Sequence, residues 1–239
     1  MSSAAWGAAI PENAVGIDGL RGLLVTIAHR AYALGLVPGA SGNLSARVPG
    51  EPAIVIKATG RSLGDMSAED SLLIDLEGNV LERHPKERRR SPRPSIEWRF
   101  HTAIYRRRPD VGAVVHLHPP HAAAFAAMHA LPPILTDEAR TFLAGKTRLI
   151  PPAPSGSKEL AGVVGEAFQD PAIQAAIIAE HGTITVGPDL YAAFYMSQYL
   201  EDAARTACLV SQLRGESAGG DGHRVARRSP ARGRRRRSG

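Results

Sequence analysis

The stretch PSIEWRFHTAIYRRRPDVGAVVHLHPPHAAAFA, residues 94–126, has the clearest succession of helix and strand signals in the chain. Pro94 and Ser95 predict the start of a helix, with Ser95 as its cap, because both residue types favour helix N-termini. Residues 111–118 are a short β-branched run that predicts a strand, and the proline pair after it ends the strand. A second helix is predicted over 121–130. This order indicates an α/β domain.

The flanking sequence extends the same pattern. Residues 15–36 and 188–213 have apolar positions at helical spacing. Two predicted strand pairs precede the quoted stretch, and two strands joined by a tight turn follow it within 175–187. We therefore predict one domain over 15–213, with mixed α/β layers and a mainly antiparallel sheet.

The net charge of +6 comes from the C-terminal segment. Residues 216–239 contain eight arginines against two acidic residues, so the rest of the chain is formally neutral. We predict that the tail, 214–239, is disordered because it has few apolar residues to bury. A solvated extension fits this composition better than a nucleic-acid-binding arm, which is the alternative. Residues 1–14 are predicted to be an N-terminal extension.

Cysteine content and hydropathy restrict the class of protein. The single cysteine, Cys208, excludes an intramolecular disulfide framework and fits a reducing compartment. No apolar run reaches the ~18 residues of a membrane span, and the N-terminus lacks the pattern of a secretory signal. We therefore expect a cytoplasmic protein with no membrane partner.

Three histidines are candidate metal ligands. His116 and His118 are two residues apart on a predicted strand, so their side chains point to the same face and can share a cation. His181, between two further predicted strands, would add a third ligand and leave one coordination position open. Gly182 is expected to permit the tight turn that presents His181. The alternative is that these are ordinary core, turn or solvated histidines.

Glu97 is the candidate acid–base residue. It lies in the first turn of the predicted helix beside apolar side chains, and partial desolvation can tune the pKa of a carboxylate for proton transfer. A glutamate at this position can instead cap its own helix. His101, one helical turn later, could orient Glu97 or could simply be buried.

Two glycine-containing loops are candidates for binding an anionic part of a substrate. Residues 41–43 (SGN) and 58–62 (ATGRS) can turn backbone N–H groups toward an anion. Arg61 could hold a carboxylate or a phosphate through two hydrogen bonds. Each loop alone is an ordinary turn. The candidate substrate-binding residues are Asn43, Thr59, Gly60, Arg61 and Ser95.

Four segments in this order resemble the class II aldolase/adducin family, which includes fuculose-phosphate aldolase, ribulose-phosphate 4-epimerase and rhamnulose-phosphate aldolase. The resemblance spans about residues 15–213. The segments are SGNLSAR (41–47), IKATGRSLGDMSAEDSLLIDLEGNVLE (56–82), the quoted stretch 94–126, and EHGTITVG (180–187).

The resemblance implies a three-layer α/β/α fold around a central, mainly antiparallel sheet. It also implies a divalent metal on His116, His118 and His181, usually Zn²⁺, with Mn²⁺, Co²⁺ or Fe²⁺ as alternatives. Glu97 matches the family's proton-transfer residue. A homotetramer with active sites near subunit interfaces, acting on a small anionic substrate, is implied as well.

Three departures distinguish this chain from the sugar-phosphate aldolases of the family. Ile96 replaces the second hydroxyl of a Ser-Ser pair, and Arg61 stands where phosphate-binding relatives usually have a smaller or apolar residue. The aldolase tyrosine expected around Thr136 is absent. These changes favour a carboxylate-bearing substrate, partly apolar or aromatic, over a phosphosugar.

We therefore predict a metal-dependent carbon–carbon lyase, an aldolase or a decarboxylase. It would act through a metal-stabilised enolate on a hydroxycarbonyl compound or a hydroxylated carboxylic acid. Decarboxylation of a dihydroxylated aromatic acid such as 3,4-dihydroxyphthalate is one form of this activity. The alternatives are a sugar-phosphate 4-epimerase or dehydratase, and a non-catalytic adducin-like binding module.

Overall fold

A computed structural model of the protein describes residues 16–83 and 93–215. Eight strands form one sheet in the order β4-β3-β2-β1-β5-β8-β7-β6, and every neighbouring pair is antiparallel except β6 with β7. The strands are β1 Asn43–Arg47, β2 Ala53–Lys57, β3 Ser71–Asp75, β4 Val80–Arg83, β5 Ala113–Leu117, β6 Thr147–Ile150, β7 Ala175–Ile178 and β8 Gly182–Gly187.

Six α-helices cover both faces of this sheet. Helices α1, α3, α4 and α6 pack on one face, and α2 and α5 pack on the other. The helices are α1 Ile17–Ala33, α2 Trp98–Arg107, α3 Pro120–Ala127, α4 Asp137–Leu143, α5 Lys158–Ala167 and α6 Leu190–Leu213. The prediction of a mainly antiparallel sheet between two helical layers is confirmed.

The two cores follow from alternation along the strands. In β2, Val55 packs with α1 and α6, whereas its neighbours Ile54 and Ile56 pack with α2 and α5. Because both faces of the sheet are covered, the central strands are apolar on both sides. Burying each such side chain stabilises the fold by about 1.5–3 kcal/mol.

Two local features differ from the sequence-based prediction. Helix α4 was not predicted, although Thr136 caps it by accepting the Ala139 N–H at 3.1 Å. Helix α2 begins at Trp98, with Glu97 at the N-cap position, so Ser95 is not its cap. Ser95 lies in the preceding turn, where its hydroxyl accepts the Glu97 N–H at 3.3 Å.

The predicted N-terminal extension and nearly all of the predicted tail lie outside the described residues. Their predicted disorder and the alternative of nucleic-acid binding by the tail therefore remain predictions. Within residues 16–83 and 93–215, no helix is both long and apolar enough to cross a membrane.

Candidate metal centre and active site

The three candidate histidines meet where β5 ends and β8 begins. These strands are antiparallel neighbours, with Leu117 opposite Thr183, so the end of one strand lies beside the start of the other. One ligand nitrogen from each of His116, His118 and His181 lies within 4.8 Å of the others. Among the residues that the structure describes, this is the one group of three or more histidine, cysteine or acidic side chains with the spacing of a metal site.

Gly182 contributes to this site in a different way from the predicted one. The left-handed residue of the turn between β7 and β8 is Glu180, with φ of 60°, and not Gly182. A Cβ atom on Gly182 would lie 2.7 Å from the carbonyl oxygen of Leu117 and 3.2 Å from the His118 ring. Glycine is therefore required here for close approach of the two strands, which brings His181 next to the other imidazoles.

The protonation of the imidazoles suits cation binding. Nδ1 of the fully buried His116 donates to the Thr183 carbonyl at 2.8 Å, so Nε2 is the nitrogen that faces the cluster and can ligate a metal. Burial lowers the pKa of His118 to about 3, assisted by the charges of His116 and His181, so its ring is neutral near pH 7. Three imidazoles are a typical donor set for a divalent transition metal.

The carboxylate of Glu97 lies against this cluster. Its Oε2 is 3.2 Å from Nε2 of His116, and its Oε1 is 3.2 Å from Nε2 of His181. Asn43 Nδ2 donates to Oε2 at 2.8 Å, and the Ser155 hydroxyl donates to Oε1 at 2.6 Å. The side chain makes no capping hydrogen bond to α2, so the geometry gives no support to the alternative role as a helix cap.

Glu97 is ionised in this environment. Burial alone would raise its pKa, but the charge of His116 and hydrogen bonds from His116, His181 and Ser155 outweigh burial and hold the pKa well below its usual range. The carboxylate is therefore in its charged form at neutral pH, and these interactions lower its proton affinity while they persist.

A buried chain of hydrogen bonds extends from Glu97 into the core. Asn43 accepts from His101 Nε2 at 2.5 Å, and His101 Nδ1 contacts the Ser45 hydroxyl at 2.7 Å. Burial lowers the pKa of His101 to about 3, so the ring is neutral and its Nδ1 accepts. Tyr105 extends the chain by donating to the Ser45 carbonyl at 3.0 Å. The orientation of the Asn43 amide toward Glu97 is therefore fixed by side chains behind it.

The predicted anion-binding residues lie on two neighbouring segments. The segment containing Ser95 pairs with the end of β2, where the Ser95 N–H donates to the Lys57 carbonyl at 3.0 Å. Thr59 and Gly60 are exposed in the next loop. Arg61 is also exposed, and its Nε contacts Asp70 Oδ1 at 2.8 Å.

The other predicted donor, Asn43, is the first residue of β1, the strand that pairs with β2. It stands opposite His116 across the β1–β5 pair and is hydrogen bonded to both Glu97 and His101.

Two further side chains at this site, Lys57 and Ser155, were not predicted from the sequence. The amine of Lys57 is buried and lies 3.5 Å from the Ala40 carbonyl. Burial lowers its pKa to about 8, against the opposing effect of Asp70 and Glu97. Lys57 could have been found from its position at the end of the apolar run AIVIK, where a charged residue is unusual. Nothing in the proline-rich segment PPAPSG distinguishes Ser155.

An open cavity of about 470 Å³ leads to the histidine cluster. Its walls include Ala153 and Ser155 on the loop after β6, and His181 at the start of β8. The cavity gives a small molecule access to His181 and to Ser155, whose hydroxyl is hydrogen bonded to Glu97.

Comparison with known families agrees with this fold. The family model of the Class II Aldolase and Adducin N-terminal domain matches residues 23–208. The chain belongs to this family, which confirms the resemblance inferred from sequence segments.

Relatives within the family are named as lyases of two kinds. The chain is 31% identical over 189 residues to the L-fuculose phosphate aldolase of Methanococcus maripaludis, covering 79% of this chain and 96% of that protein. It is 32% identical over 193 residues to the 3-oxo-tetronate 4-phosphate decarboxylase of Haemophilus influenzae, covering 77% and 84% of the two chains. The solved L-fuculose-1-phosphate aldolase of Thermus thermophilus superimposes with a TM-score of 0.69 at 26% identity, covering 83% and 97%.

Proposed function

We propose that this protein is a divalent-metal-dependent carbon–carbon lyase, an aldolase or a decarboxylase, whose cation is held by His116, His118 and His181. The observation that carries the proposal is the convergence of three imidazoles within 4.8 Å of one another, with both Glu97 oxygens 3.2 Å from an imidazole nitrogen. Three protein ligands with an open position are typical of a catalytic metal site. Zn²⁺ suits this donor set best, and Mn²⁺, Co²⁺ and Fe²⁺ are alternatives.

Glu97 is the proposed proton-transfer residue. When bound, the cation would act as a Lewis acid that stabilises negative charge developing on a substrate oxygen. Glu97 accepts a proton from the substrate hydroxyl as the carbon–carbon bond breaks, or returns one to the carbon that is left. Its ionised, hydrogen-bonded carboxylate supports the first role at neutral pH. Asn43 keeps Oε2 in place from the buried side.

The distal end of the substrate is proposed to be anionic. The ion pair of Arg61 with Asp70 competes only weakly with the binding of a substrate anion. The Arg61 side chain is 64% exposed, so its guanidinium can exchange partners. The buried amine of Lys57 adds positive charge beneath the same loop. The proposed anion-binding residues are Lys57, Thr59, Gly60, Arg61 and Ser95, with Asn43 serving both this group and Glu97.

Ile96 supports a substrate with some apolar surface. Its side chain is 58% exposed, although it directly precedes the buried Glu97. An exposed isoleucine at the edge of a polar site gives an apolar contact where a serine would offer a hydroxyl. The relatives' names indicate phosphorylated substrates, and the substrate named for the decarboxylase, a 3-oxo-tetronate 4-phosphate, also carries a carboxylate. We therefore propose a small hydroxycarbonyl compound bearing a phosphate or a carboxylate.

A substrate panel separates the two lyase activities. Purified protein loaded with Zn²⁺ is incubated with ketose 1-phosphates, phosphorylated 3-oxo acids and hydroxylated aromatic acids, and aldehyde and carbon dioxide are measured. Aldehyde release identifies an aldolase, and carbon dioxide release identifies a decarboxylase. Inversion of a substrate carbon without cleavage would instead establish the epimerase alternative. Folded protein that binds no cation and cleaves nothing would establish the non-catalytic binding module.

We also propose that the protein forms a homotetramer. Exposed apolar side chains between α3 and α4, including Met128, Leu131 and Leu135, support an interface in this region. Light scattering coupled to size exclusion tests the assembly, and a monomer at micromolar concentration would contradict it.

A further inference from the structure

Ser155 makes a hydrogen bond to Glu97 from the open side of the site. Its hydroxyl lies 2.6 Å from Oε1, the length of a charge-assisted O–H···O⁻ hydrogen bond. Asn43 holds the other oxygen, Oε2, from the buried side at 2.8 Å. Two donors from opposite directions thus determine the plane of one carboxylate.

These two donors are the ones that remain when the imidazoles bind a cation. His116 uses Nδ1–H on the Thr183 carbonyl, so Nε2 is its nitrogen that would ligate a cation. Ligation requires the lone pairs of the imidazoles. The ligating nitrogens of His116 and His181 therefore cannot donate hydrogen bonds to Glu97 in the metal-bound state. Asn43 and Ser155 are then the side-chain donors to the carboxylate.

The loop that carries Ser155 is fitted against the turn that carries Glu97. Gly156 has φ of +73°, and a Cβ atom there would lie 2.8 Å from the Ile96 carbonyl oxygen. Arg99 Nη1 also donates to the Gly156 carbonyl at 3.2 Å. The close approach and the hydrogen bond set the Ser155 hydroxyl at a defined distance from Glu97.

Ser155 is exposed and lines the cavity that leads to His181. A substrate entering by this route meets the Ser155 hydroxyl before it meets the carboxylate.

We propose that Ser155 is a positioning residue that keeps the Glu97 carboxylate aimed at the substrate during turnover. The proposal rests on the proposed lyase function. Because Ser155 acts on the orientation of Glu97 and not on cation or substrate affinity, its loss lowers kcat more than it raises KM.

The test compares Ser155→Ala, Ser155→Thr and the control Ser157→Ala with the wild-type enzyme, each loaded with Zn²⁺. Ser157 lies on the same loop, but its hydroxyl caps α5 by accepting the Leu160 N–H at 2.9 Å. We expect Ser155→Ala to lower kcat by about tenfold, since one charge-assisted hydrogen bond is lost, with KM changed by less than about threefold. Ser155→Thr retains the hydroxyl and should recover most of kcat, and Ser157→Ala should leave kcat unchanged well below its melting temperature.

A crystal structure of Zn²⁺-loaded Ser155→Ala provides a measurement independent of activity. We expect the Glu97 carboxylate to rotate or to occupy two orientations, with the cation retained. An unmoved carboxylate, or a Ser155→Ala kcat within twofold of an active wild type, would overturn the role of Ser155 alone. Wild-type protein that holds Zn²⁺ but converts no member of the substrate panel would overturn the proposed lyase function instead.

Discussion

Replacing Glu97 by glutamine separates proton transfer from folding. The amide has the size of the carboxylate, its oxygen can accept from Asn43, and its NH₂ group can donate to the Ser155 hydroxyl. The hydrogen bonds to Asn43 and Ser155 are thus replaced, and in the cation-loaded protein we expect the free energy of unfolding to change by no more than ~1 kcal/mol. The variant cannot accept a proton, so turnover should fall by about 10²–10⁴, equivalent to roughly 2.7–5.5 kcal/mol of transition-state stabilisation.

The assay measures kcat at saturating cation, with the bound metal quantified in the same samples. Saturation matters because the substitution removes a negative charge close to the imidazoles and should weaken cation binding. Glu159→Gln is the matched control, since Glu159 is an exposed glutamate in the first turn of α5. A fully loaded Glu97→Gln enzyme with kcat within about threefold of the wild type would refute the assignment of Glu97 as the proton-transfer residue.

Other substitutions test the metal ligands and the buried chain behind Glu97. His116→Ala should abolish stoichiometric cation binding and activity while the far-ultraviolet circular dichroism stays near that of the wild type, and retained activity would remove the metal role. At position 101, glutamine can place a donor near the position of His101 Nε2, whereas asparagine is too short. His101→Gln should therefore keep more activity than His101→Asn. Equal activities would argue against orientation of Asn43 by His101. The pKa of His101 is lowered from 6.5 to about 3, so as pH falls through this window the unfolded chain takes up its proton first and stability is lost. Urea unfolding of chelator-treated protein tests this between pH 6 and pH 4. As pH falls, the free energy of unfolding of the wild type should decrease more steeply than that of His101→Gln, by up to about 1.4 kcal/mol per pH unit. Equal slopes would contradict a neutral buried ring.

The parts of the fold and of the site that could be predicted from the sequence follow from local periodicity. The two-residue repeat of a strand places His116 and His118 on one side, and the apolar runs mark the strands that the sheet contains. The meeting of His181 with this pair depends on the antiparallel pairing of β5 and β8, which no local pattern specifies. His181 was a candidate ligand from its place between two predicted strands, and the order of family segments strengthened that expectation.

The missed features depend on contacts between segments distant in the chain. Ser155 is 58 residues from Glu97, and its hydroxyl is significant only because Gly156 fits against Ile96. Gly182 was interpreted as a turn residue, but its small size serves strand packing instead. The β1–β5 register also places Asn43, which the sequence assigned only to an anion, between Glu97 and His101.

Anomalous diffraction at the zinc absorption edge, on crystals grown with Zn²⁺, tests the metal centre most directly. We predict one strong peak bonded to imidazole nitrogens of His116, His118 and His181 at ~2.0–2.1 Å, with an open position toward the cavity. Three unliganded imidazoles in zinc-replete crystals, or a cation bound elsewhere on the chain, would contradict the proposed function.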